Sequence, residues 1–125
     1  MGTRLYRKWT FSAAHKLASG ARHECARLHG HTYEVEVCVI RVTHDIDLGV
    51  GWVADVADLD RAWSGVSGLY DHQYVNETLG EDSPTCEILA RRIYEHMGRA
   101  LRDLKLVVQS VSVSEGTRMR AVFDG

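Results

Sequence analysis

Apolar and polar residues alternate over two stretches of the chain. From Thr3 to His15 the odd positions carry Leu5, Trp9, Phe11 and Ala13, with Arg7 out of place, and the even positions are mainly polar. From about His29 to Val42 the odd positions carry Tyr33, Val35, Val37 and Val39, and the even ones include Thr32, Glu34 and Glu36. A period of two sets one side of an extended chain against a core and the other in water, so both stretches read as half-buried strands. Between them, Lys16 to Arg27 holds Ser19, Gly20 and mixed charges without a period and reads as a loop. Gly30, just inside the second strand, predicts a bulge or a close approach of the backbone to something bound.

Asp45 to Gly51 is a turn region, and Asp55 is placed to cap a helix whose first turn carries Asp58. Val56, Leu59, Trp63 and Val66 follow at helical spacing, with Gly65 and Gly68 closing the element. Tyr70 to Glu77 has no clear period and reads as an irregular connection. Ser83-Pro84 predicts a second helix start, and Leu89, Ile93, Met97, Ala100, Leu101 and Leu104 form its apolar stripe. Val111, Val113 and Glu115 alternate, Gly116 marks a turn, and Met119, Ala121 and Phe123 alternate again. The order ββααββ predicts an α+β fold: a four-stranded antiparallel sheet with both helices on one face. Such a sheet has two open edges, which subunit association would cover.

At 125 residues the chain suits one domain, spanning 1–125, with a single core. A hydrophobic fraction of 45% and a charged fraction of 26% exclude a disordered chain. Three cysteines without paired spacing argue against a disulfide framework and fit a reducing compartment, with Cys38 and Cys86 as packing residues. No apolar run is long enough for a membrane span and the first residues read as a strand instead of a signal sequence, so a cytoplasmic protein is expected. A net charge of −2 gives no general pull toward nucleic acid or anionic membrane.

The chemistry concentrates around Cys25-Ala26-Arg27-Leu28-His29-Gly30-His31. In a strand His29 and His31 point the same way. His15 ends the first alternating run, and antiparallel pairing of the two runs in the right register would bring it beside them. Three imidazoles with a fourth position open is the donor set of a catalytic zinc, although paired histidines also occur as ordinary, partly buried strand residues. Lys16, Arg22, His23 and Arg27 cluster on the same loop against Glu24 alone, which would attract a small anionic substrate and favour the thiolate of Cys25. Asp71-His72 has the ingredients of a proton relay, or of plain surface polarity. Glu115 continues a buried face and needs a donor, either a heterocycle edge with two parallel N–H groups or Arg118 or Arg120.

Taken together, Cys25-x-x-x-His29-Gly30-His31, Ala14-His15, Gly51 to Asp55, Asp71-His72, Pro84-Thr85-x-Glu87 and Glu115 resemble the family of 6-pyruvoyltetrahydropterin and 6-carboxytetrahydropterin synthases. The match covers almost the whole chain in order. The resemblance implies a tunnelling fold in which three subunits join their sheets into a barrel and two trimers stack as a hexamer. It implies zinc held by His15, His29 and His31, Cys25 as catalytic thiol, Asp71 with His72 as relay, and Glu115 as anchor for the pterin ring. Thr85 and Glu87 match positions that line the pterin pocket, often from a neighbouring chain. The three-residue gap between Cys25 and His29 resembles the bacterial carboxy-type enzymes, which act on 7,8-dihydroneopterin triphosphate in the route to queuosine and other 7-deazaguanine compounds. Gly116 after Glu115, Tyr70 before Asp71-His72, and Cys86 inside the Pro-Thr-x-Glu motif depart from the family's usual residues.

Overall fold

The computed structural model describes residues 2–18 and 26–125. Its elements are β1 (Leu5–His15), β2 (His29–Arg41), α1 (Val56–Ser67), β3 (Gln73–Tyr74), α2 (Val75–Leu79), α3 (Cys86–Leu101), a 3-10 turn (Arg102–Leu104), β4 (Leu106–Glu115) and β5 (Met119–Phe123). The α+β class holds, with a correction to the sheet. It has five strands in the order β3-β1-β2-β4-β5, and β3 runs parallel to β1 through Ala13↔Gln73 and Ala14↔Tyr74, so the sheet is mixed.

The Tyr70–Glu77 connection is where the ββααββ order fails. It folds into β3 and α2, elements of two and five residues, too short to show a hydrophobic period. They are held from outside: the Ser12 N–H donates to Asp71 Oδ1 at 3.0 Å and the His72 N–H donates to the Ser12 carbonyl at 2.6 Å.

The alternating residues bury as their period requires. Phe11, Tyr33, Val35, Val37, Val111 and Val113 are all buried on one face of the sheet. They form a single core with Leu59 and Trp63 of α1 and Leu89, Ile93 and Met97 of α3. Trp9 stacks on Trp63 at 5.4 Å between ring centres, tying β1 to α1, and Phe11 stacks on Tyr33 at 5.0 Å, tying β1 to β2. Arg7, the polar exception on that face, reaches Asp60 of α1 with two parallel hydrogen bonds of 3.0 and 2.9 Å, and Trp9 Nε1 donates to the same carboxylate at 2.9 Å. The opposite face stays polar, with Lys8 beside Glu34 at 3.4 Å and Glu36 at 3.9 Å.

Asp55 caps α1 as expected, its carboxylate accepting from the Ala57 N–H at 2.9 Å. The start of α3 is shifted from the Ser83-Pro84 reading. Thr85 is the cap, its hydroxyl accepting from the Ile88 N–H at 3.3 Å, and Pro84 lies outside the helix. A fixed proline φ suits the residue before a cap as well as the first helical residue, which is why the sequence pointed to Ser83, two residues early. The helix ends at Leu101, and Leu104 is 42% exposed in the turn that follows, so it leaves the apolar stripe. Gly30 pairs in register with Ala14; the one irregularity of β2 lies between Cys38 and Val39, against β4. Cys38 and Cys86 are buried free thiols. No helix among the described residues is long and apolar enough to cross a membrane.

Candidate functional site

β1 ends on His15 and β2 begins on His29, and the two residues are direct cross-strand partners. His31, two residues on, lies on the same side, so three imidazoles meet at one end of the sheet. Their ring centres are 4.5 Å (His15–His29), 5.2 Å (His15–His31) and 4.8 Å (His29–His31) apart. One ligand atom from each falls within 4.8 Å of the others.

The carbonyl groups around the cluster decide which nitrogens are free. His15 Nδ1 is 2.9 Å from the Pro84 carbonyl and His29 Nδ1 is 2.6 Å from the Arg27 carbonyl. A carbonyl oxygen only accepts, so both Nδ1 atoms carry hydrogen and both Nε2 atoms of the neutral rings carry lone pairs. Tyr33 hydroxyl makes a longer contact of 3.3 Å to the same His15 nitrogen. Burial holds the His15 pKa below the ordinary histidine value, which favours the neutral ring. The two Nε2 atoms face each other at 3.0 Å. Two apposed lone pairs repel unless a cation lies between them, and imidazoles bound about 2 Å from one tetrahedral ion hold their nitrogens about 3.3 Å apart. The donor set therefore fits a metal ion of zinc type.

Glu115, at the end of β4, closes the other side. Its Oε1 is 3.0 Å from His31 Nε2, and the Cys86 thiol donates to its Oε2 at 3.9 Å. A carboxylate on a ligand histidine's ring orients that ring and raises its basicity. Burial, with the Glu115 and Glu87 carboxylates, pushes the Cys86 thiol up to about 12. The three histidines, Glu115, Thr85 and Glu87 line one cavity of about 320 Å³. Four sequence signals far apart in the chain are thus brought together here.

The remaining candidates lie elsewhere. Asp71 and His72 sit at the β3 edge, where His72 Nδ1–H donates to Asp71 Oδ2 at 3.0 Å. The Ser12 N–H is the main cause that holds the Asp71 carboxyl below its ordinary pKa. His72 has φ +60°, a left-handed backbone that a side-chain-bearing residue keeps only when its surroundings hold it. It opens on a second, shallower cavity of about 510 Å³, floored by Ser12, Ala14 and Thr32, which meets the first only at His31. Lys16 is exposed, fixed through its backbone to the Asn76 side chain, and lines neither cavity. Arg27 contributes its carbonyl to His29. Cys25 lies outside the described residues.

Sequence reasoning missed the Pro84 carbonyl and the Ser12 backbone, main-chain groups with no side-chain signature. Cys86, read as a packing residue, is buried in the core, and its thiol also lies in the histidine cavity against Glu115.

Comparison with known proteins agrees with this geometry. Residues 4–125 match the 6-pyruvoyl tetrahydropterin synthase family. A 6-carboxy-5,6,7,8-tetrahydropterin synthase of Synechocystis sp. is 34% identical over 103 residues, covering 77% of this chain and 75% of that protein. A dihydroneopterin monophosphate aldolase of Pyrococcus furiosus is 32% identical over 117 residues, covering 93% of this chain and 92% of that protein. The structure of the Caenorhabditis elegans 6-pyruvoyl tetrahydropterin synthase superposes with a TM-score of 0.84 at 25% identity, over 98% of this chain and 95% of that one. A family match running from the first strand to the last, on a chain whose paired strands aim three histidines at one point, places this protein in the 6-pyruvoyl tetrahydropterin synthase family.

Proposed function

We propose that the protein is a zinc-dependent 6-carboxytetrahydropterin synthase acting in the cytoplasm. It converts 7,8-dihydroneopterin triphosphate to 6-carboxy-5,6,7,8-tetrahydropterin, acetaldehyde and triphosphate, in the route to 7-deazaguanine compounds such as queuosine. The observation that carries this reading is the facing pair of Nε2 lone pairs on His15 and His29, 3.0 Å apart beside His31. Neutral nitrogen donors suit zinc better than magnesium or calcium, which prefer oxygen. When bound, zinc supplies Lewis acidity that eases loss of the protons of the substrate's side-chain hydroxyls.

The chain's own residues do the rest. Glu115 accepts from the pterin edge: an ionised carboxylate has about four lone-pair sites, so its contact with His31 leaves room for ring N–H donors. Thr85 and Glu87 shape the cavity around the ring. Cys25 as thiolate takes a carbon-bound proton, and His72, oriented by Asp71 Oδ2, passes protons to and from the reacting side chain. Lys16 and Arg27 offer positive charge to the triphosphate. Within one subunit His72 shares a cavity with His31 but not with His15, His29 or Glu115, and the sheet has open edges, which favours a homo-oligomer, a dimer of trimers, whose neighbouring copies complete each site.

A second reading is favoured by the long alignment to the Pyrococcus aldolase: retro-aldol cleavage of a dihydroneopterin phosphate side chain. Incubation of the zinc-loaded protein with 7,8-dihydroneopterin triphosphate separates the cases. Acetaldehyde and 6-carboxytetrahydropterin in equal amounts are expected. Accumulation of 6-pyruvoyltetrahydropterin without acetaldehyde would give the pyruvoyl activity instead, and a phosphorylated two-carbon aldehyde the aldolase. Binding of the pterin without turnover would leave a non-catalytic binder.

A further inference from the structure

Tyr70 immediately precedes the Asp71-His72 pair and is completely buried. Its ring packs edge-on against Phe11 at 5.7 Å and stacks with Trp63 at 6.3 Å. Its hydroxyl is 2.6 Å from Nδ1 of His96 on α3. Burial raises the tyrosine pKa, so the phenol keeps its proton and donates. Burial, followed by the Arg92 and Arg99 charges and against Glu95, lowers that of His96, so the neutral imidazole accepts. Tyr70 is fully buried whereas His96 is partly exposed, so loss of the His96 acceptor leaves the phenol hydroxyl without a partner in the interior.

The turn that follows is fastened at both ends. The Tyr70 carbonyl accepts from the Gln73 N–H at 3.3 Å, and Tyr70 and Asp71 N–H groups both donate to the Ser67 carbonyl at 2.9 and 2.8 Å. On the far side, Ser12 of β1 holds the Asp71 carboxylate and the His72 N–H. Between these anchors His72 keeps its left-handed backbone. Such a conformation persists only when the surroundings over-determine it.

We propose that the Tyr70–His96 hydrogen bond is a positioning device that seats the Asp71-His72 turn on β1 and so sets the geometry in which His72 meets the substrate. Tyr70 and His96 are positioning residues: neither lines the histidine cavity or the cavity beside His72. The proposal rests on the relay role given to Asp71 and His72 above, and its test has a readout independent of turnover. Asp71 titrates low chiefly because the Ser12 N–H points at it, so its carboxyl midpoint, followed by NMR on aspartate-labelled protein, reports whether the turn is seated.

Tyr70→Phe and His96→Leu remove donor and acceptor. His96→Asn keeps a polar side-chain atom where Nδ1 stood. In the first two variants the Asp71 midpoint is expected to rise toward that of an ordinary aspartate, and kcat to fall by about tenfold with KM and zinc content unchanged. His96→Asn restores both. An unchanged Asp71 midpoint in folded Tyr70→Phe overturns the proposal. Should that variant fail to fold, equal midpoints in His96→Leu and His96→Asn overturn it as well. If the native protein does not turn over the pterin triphosphate, the functional reading falls, while the Asp71 midpoint still decides the positioning.

Discussion

His15 donates from Nδ1 to the carbonyl of Pro84, 69 residues away in sequence, at 2.9 Å. The end of β1 and the entry to α3 are thereby one unit, because the peptide that precedes the helix cap decides which nitrogen of the histidine faces its partners. Thr85 is that cap. Removing it with Thr85→Ala should cost about 1 kcal/mol and lower Tm by about 4 °C. The first turn would also loosen its hold on Pro84, so zinc should be lost to a chelator sooner than from the native protein. Thr85→Ser keeps the capping oxygen and is expected to preserve both. Thermal melts run beside a chelator competition check this; a Tm loss with zinc retention unchanged would separate helix start from metal site.

The metal prediction follows from the donor set. Elemental analysis of the native protein should find about one zinc per chain, as three histidines with an open position hold one ion. His31→Ala removes one of three ligands and should leave the protein folded but depleted of zinc after dialysis. Full occupancy in that variant would show that the ion sits elsewhere.

Much of this site was legible because both histidine-bearing segments are long strands. Eleven consecutive pairs run in one register from Leu5↔Val39 to His15↔His29, and alternation in the sequence fixes which face each pair presents. Glu115 was legible on the same ground, as the residue that continues the Val111 and Val113 face. The β3 edge was not. A two-residue strand has no period to read, and what places Asp71 and His72 there is the backbone of Ser12, which no side-chain pattern announces. Likewise Ser83-Pro84-Thr85 offers two capping residues around one proline, and only the Ile88 N–H shows which of them is used.

Glu115 makes a contact that the pterin-anchor reading alone did not anticipate, its Oε1 lying on His31. Glu115→Ala should therefore weaken two things at once. Pterin binding is lost with the carboxylate, and zinc affinity falls on the order of tenfold because the His31 ring loses its orienting partner. Glu115→Gln keeps the shape and one acceptor oxygen, and should spare most zinc affinity while still impairing the pterin. Calorimetry with zinc and with a dihydropterin on both variants tests this. Unaltered zinc affinity in Glu115→Ala would leave recognition as the residue's whole role.

The thiols can be told apart by reactivity. Cys86 lies in the histidine cavity, within 3.9 Å of Glu115, so proximity alone would nominate it for proton transfer. Its environment argues the other way: burial first, then the Glu115 and Glu87 carboxylates, pushes it up to about 12, so at neutral pH it is a thiol and not a thiolate. Cys38 is buried against Gln109, with its Sγ 3.5 Å from the amide oxygen. Cys25, which the sequence sets among Arg22, His23 and Arg27, is left as the candidate for thiolate chemistry. Iodoacetamide on the native protein at pH 8 should accordingly modify Cys25 while Cys38 and Cys86 stay unmodified until the chain is unfolded, and peptide mass spectrometry reads all three. Cys25→Ala should abolish turnover with zinc content intact, whereas Cys86→Ala should retain turnover. Alkylation of Cys86 ahead of Cys25, accompanied by loss of activity in Cys86→Ala, would transfer the proton-moving role to the thiol in the cavity.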